Sequence, residues 1–109
     1  MKPVTWVGSA KRDLLACSTA VTRAAGRELE RVQRGADPID WKPMPTIGRG
    51  VREIRVHSEG EVRVFYVATF PEGVYVLHVF QKKTRQTARG DVALGQQRYR
   101  TMMRERRIR

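Results

Sequence analysis

Apolar residues in the first third of the chain recur every three or four positions, and from Val51 onward they recur every second position. The first interval is that of helices with one buried stripe, the second that of strands with one buried face. Ahead of both, Val4 and Trp6 point the same way in an extended segment over residues 3–7. Ser9 offers an N-cap for a short helix over residues 10–16, with Leu14 and Leu15 inward. Ser18 caps a second helix, whose inner stripe is Val21, Ala24, Ala25, Leu29 and Val32 and whose outer face carries Arg23, Arg27, Arg31 and Arg34. Gly35 stops it.

Pro38, Pro43, Pro45, Gly48 and Gly50 predict an irregular linker over residues 36–50, tacked to the core by Trp41 and Met44. Three runs rich in β-branched and aromatic residues follow, over 51–57, 62–70 and 74–80. The links Ser58-Glu59-Gly60 and Pro71-Glu72-Gly73 are short enough to make an antiparallel meander. Ile54 and Val56 take the core face of the first run, which turns Glu53, Arg55 and His57 to the other. Unbroken alternation in the third run puts His78 on one face with Val74, Val76 and Phe80, a core position. A polar loop then leads to a final helix, capped by Thr87 or Asp91 and weakened by Gly90 and Gly95. Its inner stripe is Val92, Tyr99 and Met102 or Met103, and residues 104–109 form a frayed basic tail. The order β-α-α-β-β-β-α predicts one α+β domain over residues 1–109, an antiparallel sheet with an N-terminal helical hairpin and a C-terminal helix packed on one face.

Composition narrows the functions open to such a domain. The 109 residues, 40% hydrophobic and 30% charged, suffice for one small core and no separate cofactor module. No run approaches the roughly 18 apolar residues of a membrane span, and the N-terminus lacks the apolar stretch of a secretory signal, so a cytoplasmic protein is expected. A single cysteine, Cys17, excludes an intramolecular disulfide, and two histidines among scattered carboxylates give no metal-ligand spacing. No phosphate-cradling glycine motif is present; Gly48-Arg49-Gly50 reads as a turn. Charge is the informative feature. Net charge is +11, divided as +2 over residues 1–40, +5 over 41–90 and +4 over 91–109. This clustered excess points to a polyanionic partner.

Several stretches carry a resemblance. Asp40-Trp41-Lys42-Pro43-Met44-Pro45-Thr46-Ile47-Gly48, Gly50-Val51-Arg52-Glu53-Ile54-Arg55, Arg63-Val64-Phe65-Tyr66 and Leu77-His78-Val79-Phe80-Gln81-Lys82-Lys83-Thr84 resemble the phage-derived branch of the RelE/HigB toxins. The likeness runs from about Lys2 to Arg106. It implies a RelE-like fold and the toxin half of a type II toxin–antitoxin pair. The activity implied is metal-independent, ribosome-dependent cleavage of mRNA that inhibits translation, with no cofactor. A ParE-like branch of the same fold poisons DNA gyrase instead, and a non-catalytic nucleic-acid-binding module is a third reading.

The resemblance implies catalysis by a cluster of cations on the open sheet face, at Arg55, Arg63, Lys82 and Lys83. Such a cluster stabilises the extra charge of a pentavalent phosphate and lets a lysine serve as base. Arg63 and Lys82, taken as exposed, are expected to be replaceable without loss of fold. Glu53 reads either as a base or as a partner of Arg55, and His57 either as a substrate contact or as a plain surface residue. Arg49, Arg52, His57, Arg85 and Arg89 are the candidates for RNA binding. The stripe Arg23, Arg27 and Arg31 is the candidate surface for a helix-turn-helix antitoxin, with a solvated face as the other reading.

Overall fold

A computed structural model describes residues 1–108. A five-stranded sheet forms the centre, built from β1 (Val4–Trp6), β2 (Trp41–Pro43), β3 (Val51–His57), β4 (Glu61–Val67) and β5 (Val74–Gln81). Their order is β1-β5-β4-β3-β2, with β1 parallel to β5 and every other pair antiparallel. The helices are α1 (Ala10–Leu15), α2 (Thr19–Gln33) and α3 (Arg89–Ile108).

The alternation of β3 and β4 creates two cores instead of one. Ile54, Val56, Val62, Val64 and Tyr66 face α1 and α2, where they meet Ala10, Leu14, Val21, Ala25, Leu29 and Val32. Val51, Phe65, Val67, Tyr75 and Leu77 face the other way and are closed by Met102 with Val92, Tyr99 and Met103. The helices therefore lie on both faces of the sheet, not on one. Each strand of the meander is apolar enough on both sides to require this, since an uncovered Phe65 or Leu77 would remain in water.

The ends of α2 follow the sequence closely, whereas Ser9 turns its hydroxyl to the Asp13 carboxylate and caps no backbone N–H of α1. Ser18 Oγ accepts from the Val21 N–H at 3.2 Å. At the far end Gly35 adopts φ +88°, the Gly35 N–H donates to the Val32 carbonyl and the Ala36 N–H to that of Arg31, which together make a Schellman stop. Four further details differ from expectation. Leu15 is exposed, because a six-residue helix buries only Ala10 and Leu14. Part of the linker is a strand: Trp41 and Lys42 pair with Ile54 and Glu53, and Pro43, which cannot donate, lies at the sheet edge. Thr87 and Asp91 are both engaged elsewhere, at Glu53 and His78. Helix α3 continues through residues 104–108, where Arg106 pairs with Glu72 and lies over Phe70; Arg109 lies outside the described residues.

A bulge on β5 shifts the alternation. Phe65 pairs with His78 but Tyr66 with Val76, which leaves Leu77 without a partner on β4. Val74, Val76 and Val79 consequently face the helical hairpin, while His78 joins Leu77 and Phe80 on the α3 side. His78 is buried as expected, but across the sheet from Val74 and Val76. Its Nε2 meets Asp91 Oδ1 at 2.8 Å, and Arg98, which also donates to the Leu77 carbonyl and Ser9 Oγ, approaches Nδ1 at 3.4 Å. An arginine only donates, so Nδ1 accepts and the proton sits on Nε2. His78 ties α3 to the sheet.

Candidate active site

The α3-side face of β3 and β4 carries Glu53, Arg55, His57, Glu61 and Arg63 beyond the apolar area that α3 covers. Strand register sets their arrangement. Arg55 lies directly opposite Arg63, and His57 opposite Glu61. Two arginines facing each other across strands repel, and carboxylates offset this. Glu53 Oε1 stands 3.7 Å from Arg55 Nε and 3.7 Å from Arg63 Nε. Glu61 Oε1 accepts from Arg63 Nη2 at 3.0 Å, and Asp40 Oδ1 lies 3.7 Å from Arg55 Nη1. His57 joins these two acids, with Nδ1 2.8 Å from Glu61 Oε2 and Nε2 2.6 Å from Asp40 Oδ2. The six groups form a closed ring in which basic and acidic side chains alternate.

Burial within the ring is uneven. The Glu53 side chain is fully buried and that of Arg63 is 6% exposed, whereas those of Arg55 and His57 are 33% and 51% exposed. Glu53 is further held by Lys42 Nζ at 3.9 Å and by the Thr87 hydroxyl, which donates to Oε2 at 3.2 Å. Glu53 Oε1 and the Nε atoms of Arg55 and Arg63 are buried without a hydrogen bond in the described structure. Hydrogen bonds from His57 and then Arg63 hold the Glu61 carboxyl below its ordinary range. Hydrogen bonds to Asp40 and Glu61 hold the His57 imidazole above its ordinary value.

The expected residues fall into three groups. Arg55 and Arg63 converge as expected, but Arg63 is buried rather than exposed, and both are compensated by carboxylates. Lys82 and Lys83 follow the end of β5, where the Lys82 N–H donates to the Glu61 carbonyl and both lysines line a small hollow with Phe80 and Asp91. Neither lysine has an ion pair among the described residues. Arg85 and the helix-opening Arg89 are exposed, and Arg49 is exposed in its turn. Arg52 faces away from the ring: it donates to Asp37 at 2.9 Å and lies 3.9 Å over the Trp41 ring. The exposed Arg23, Arg27 and Arg31 sit on α2, across the sheet from the ring. There Arg27, Arg31 and Arg34 line a shallow groove with the exposed Ile39.

Sequence reading passed over Asp40, Glu61 and Thr87. His57 and Glu61 flank a tight hairpin, which was a usable signal, but Asp40 and Thr87 arrive from irregular segments. Among the described residues no group of three or more His, Cys, Asp and Glu side chains is placed to hold a metal ion, and no helix is long and apolar enough to cross a membrane.

An antiparallel meander with two N-terminal helices on one face and a long C-terminal helix on the other is compatible with a RelE-like fold. Residues 12–100 match the family described as Phage derived protein Gp49-like (DUF891), and the chain belongs to that family, which is of the RelE/HigB-like toxin type. No curated protein matches it.

Proposed function

We propose that the protein is the toxin of a type II toxin–antitoxin pair and a metal-independent endoribonuclease that cuts mRNA on the ribosome. The observation that supports this most is the convergence of Arg55 and Arg63 on adjacent strands, where Lys82 and Lys83, without an ion pair among the described residues, leave β5. Cleavage of RNA without a metal runs by attack of the 2′-OH on its neighbouring phosphate and loss of the 5′-oxygen, leaving a 2′,3′-cyclic phosphate and a 5′-hydroxyl. Arg55, the more exposed arginine, binds the phosphate and stabilises its added charge. Arg63, pinned by Glu53 and Glu61, fixes the position of that face. Lys82 and Lys83 supply proton transfer and further charge, while Arg49, Arg85 and Arg89 hold ribosomal and messenger RNA through phosphates.

The partner in the resting cell is a helix-turn-helix antitoxin docked on α2, where the groove beside Ile39 offers an apolar anchor among Arg27, Arg31 and the Arg34–Glu30 pair, with Glu28 beside them. The site of action is the cytoplasm. Induced expression should arrest translation, with transcripts cut only where ribosomes engage them. Intact transcripts together with accumulated gyrase-cleaved DNA would transfer the protein to the ParE-like reading.

A further inference from the structure

We propose that Asp40 is a built-in competitor for Arg55, the arginine that binds a phosphodiester, and that His57, bridged between Asp40 and Glu61, is the positioning residue that draws it off. The inference rests on the reading of Arg55 as the phosphate-binding group.

Four contacts carry it. Asp40 and Glu61 each divide one carboxylate between an arginine and His57: one oxygen of Asp40 faces Arg55 at 3.7 Å and the other His57 at 2.6 Å, while those of Glu61 face Arg63 at 3.0 Å and His57 at 2.8 Å. A carboxylate oxygen and a phosphate oxygen are equivalent acceptors for a guanidinium N–H, so Asp40 occupies a position beside the half-exposed Arg55 that an RNA phosphate would otherwise take. His57 decides how strongly it competes. Both of its ring nitrogens face carboxylate oxygens, which only accept, and a neutral imidazole has one N–H; the double bridge is therefore that of an imidazolium. At Asp40 the short contact goes to His57 and the long one to Arg55, whereas Glu61 keeps its 3.0 Å hydrogen bond to Arg63 beside its 2.8 Å contact to His57.

Charge balance gives the direction. With His57 charged, the ring of Arg55, Arg63, His57, Glu53, Asp40 and Glu61 sums to zero. With His57 neutral, the ring gains one negative charge and at least one acid loses its imidazole partner, leaving the arginines as its nearest cations. Phosphodiester affinity should thus be highest with His57 protonated and fall as pH rises through its value, which the two acids hold above about 6.5. Asp40 from the linker and Glu61 from β4 are the charged groups in contact with His57, and Arg55 and Arg63 stand directly behind them.

The test is fluorescence anisotropy with a short 2′-O-methyl RNA, which binds but lacks the attacking hydroxyl, titrated from about pH 6 to about pH 8.5. The wild-type protein should lose roughly 3- to 10-fold in affinity over that range, the scale of one or two partly exposed ion pairs. His57→Gln should bind at the weaker level throughout, without the slope. Asp40→Asn/Glu61→Gln should bind tightly and without the slope, and adding His57→Gln to that pair should change nothing further. Glu59→Gln/Glu105→Gln, which alters net charge equally but touches neither arginine, should keep the wild-type slope.

A flat wild-type profile overturns the proposal. So does a triple variant as weak as His57→Gln alone, which would make His57 itself the RNA contact. Because the readout is binding and not cleavage, this pattern together with uncut transcripts in cells would strike the proposed endoribonuclease and leave the competition standing.

Discussion

Glu53 Oε1 lies 3.7 Å from Arg63 Nε across two neighbouring strands, in a place where the carboxylate is fully buried and the guanidinium nearly so. This pair separates fold from chemistry within one cluster. Truncating either member strands a buried charge, so Arg63→Ala should lower stability by about 3 kcal/mol as well as lowering activity. Arg63→Lys should recover part of the stability but not the fork geometry. Urea denaturation of both variants measures the difference.

Lys82 gives the cleaner functional lesion. It is half-buried at the end of β5 and has no ion pair among the described residues. Lys82→Ala should leave stability within about 0.5 kcal/mol of wild type. Cleavage should fall roughly 100- to 1000-fold if the lysine stabilises the transition state as one electrostatic group typically does. Single-turnover cleavage and thermal unfolding of the same preparation read both quantities.

Two helical glycines should respond in opposite directions. A Cβ on Gly95 of α3 would come within 2.9 Å of the Phe65 ring and 3.3 Å of Ile47. Phe65 is fully buried against Phe80 and His78 and has nowhere to move. Gly95→Ala should therefore destabilise by about 1–3 kcal/mol despite alanine's better helix propensity. Gly26, in the middle of α2, has open space at its Cβ position. Gly26→Ala should stabilise by roughly 0.5–1 kcal/mol. Denaturant midpoints test both signs.

The end of α3 should loosen in acid. Hydrogen bonds from Arg106 and then Tyr75 hold the Glu72 carboxyl down to about 2. A depressed carboxyl contributes its stability above its ordinary value of about 4.5 and loses it as pH falls toward 2. Protection of the amides over residues 104–108, taken as the ratio of intrinsic to observed exchange at each pH, should fall within that window. In Arg106→Ala it should be low already at neutral pH.

Antitoxin capture should depend on α2. Arg27→Glu/Arg31→Glu should slow association with the antitoxin and weaken the dependence of the rate on salt, because long-range steering is screened over about 8 Å at physiological ionic strength. Stopped-flow mixing measures it. An unchanged rate and affinity would place the interface elsewhere.

The elements were legible where one period ran unbroken. Val21, Ala25, Leu29 and Val32 fixed the inner face of α2, and Ser18 and Gly35 its ends. Ile54 and Val56 correctly turned Glu53 and Arg55 together. Alternation failed at Leu77, where an extra residue reverses every face after it and no local sequence signal marks it. The second core was hidden for a related reason: a strand apolar on both sides looks like a single run. In the site, Arg55 and Arg63 were expected together from the resemblance and from their places on neighbouring strands, but the carboxylates that offset them were not. Asp40 and Thr87 reach the ring from segments without periodicity, and Glu61 was passed over as a turn-flanking residue. Arg63 looked exposed because the sheet face opposite the helical hairpin was expected to be open, whereas α3 covers part of it.

The most direct measurement is end mapping of an mRNA held on purified ribosomes, in the magnesium buffer that keeps them assembled, and exposed to the purified protein. Cleavage by the sheet cluster predicts new 5′-hydroxyl ends paired with 2′,3′-cyclic phosphates, present with wild-type protein, absent without ribosomes and nearly absent with Lys82→Ala. An mRNA that stays intact on the ribosome, or is cut equally well by Lys82→Ala, would contradict the account.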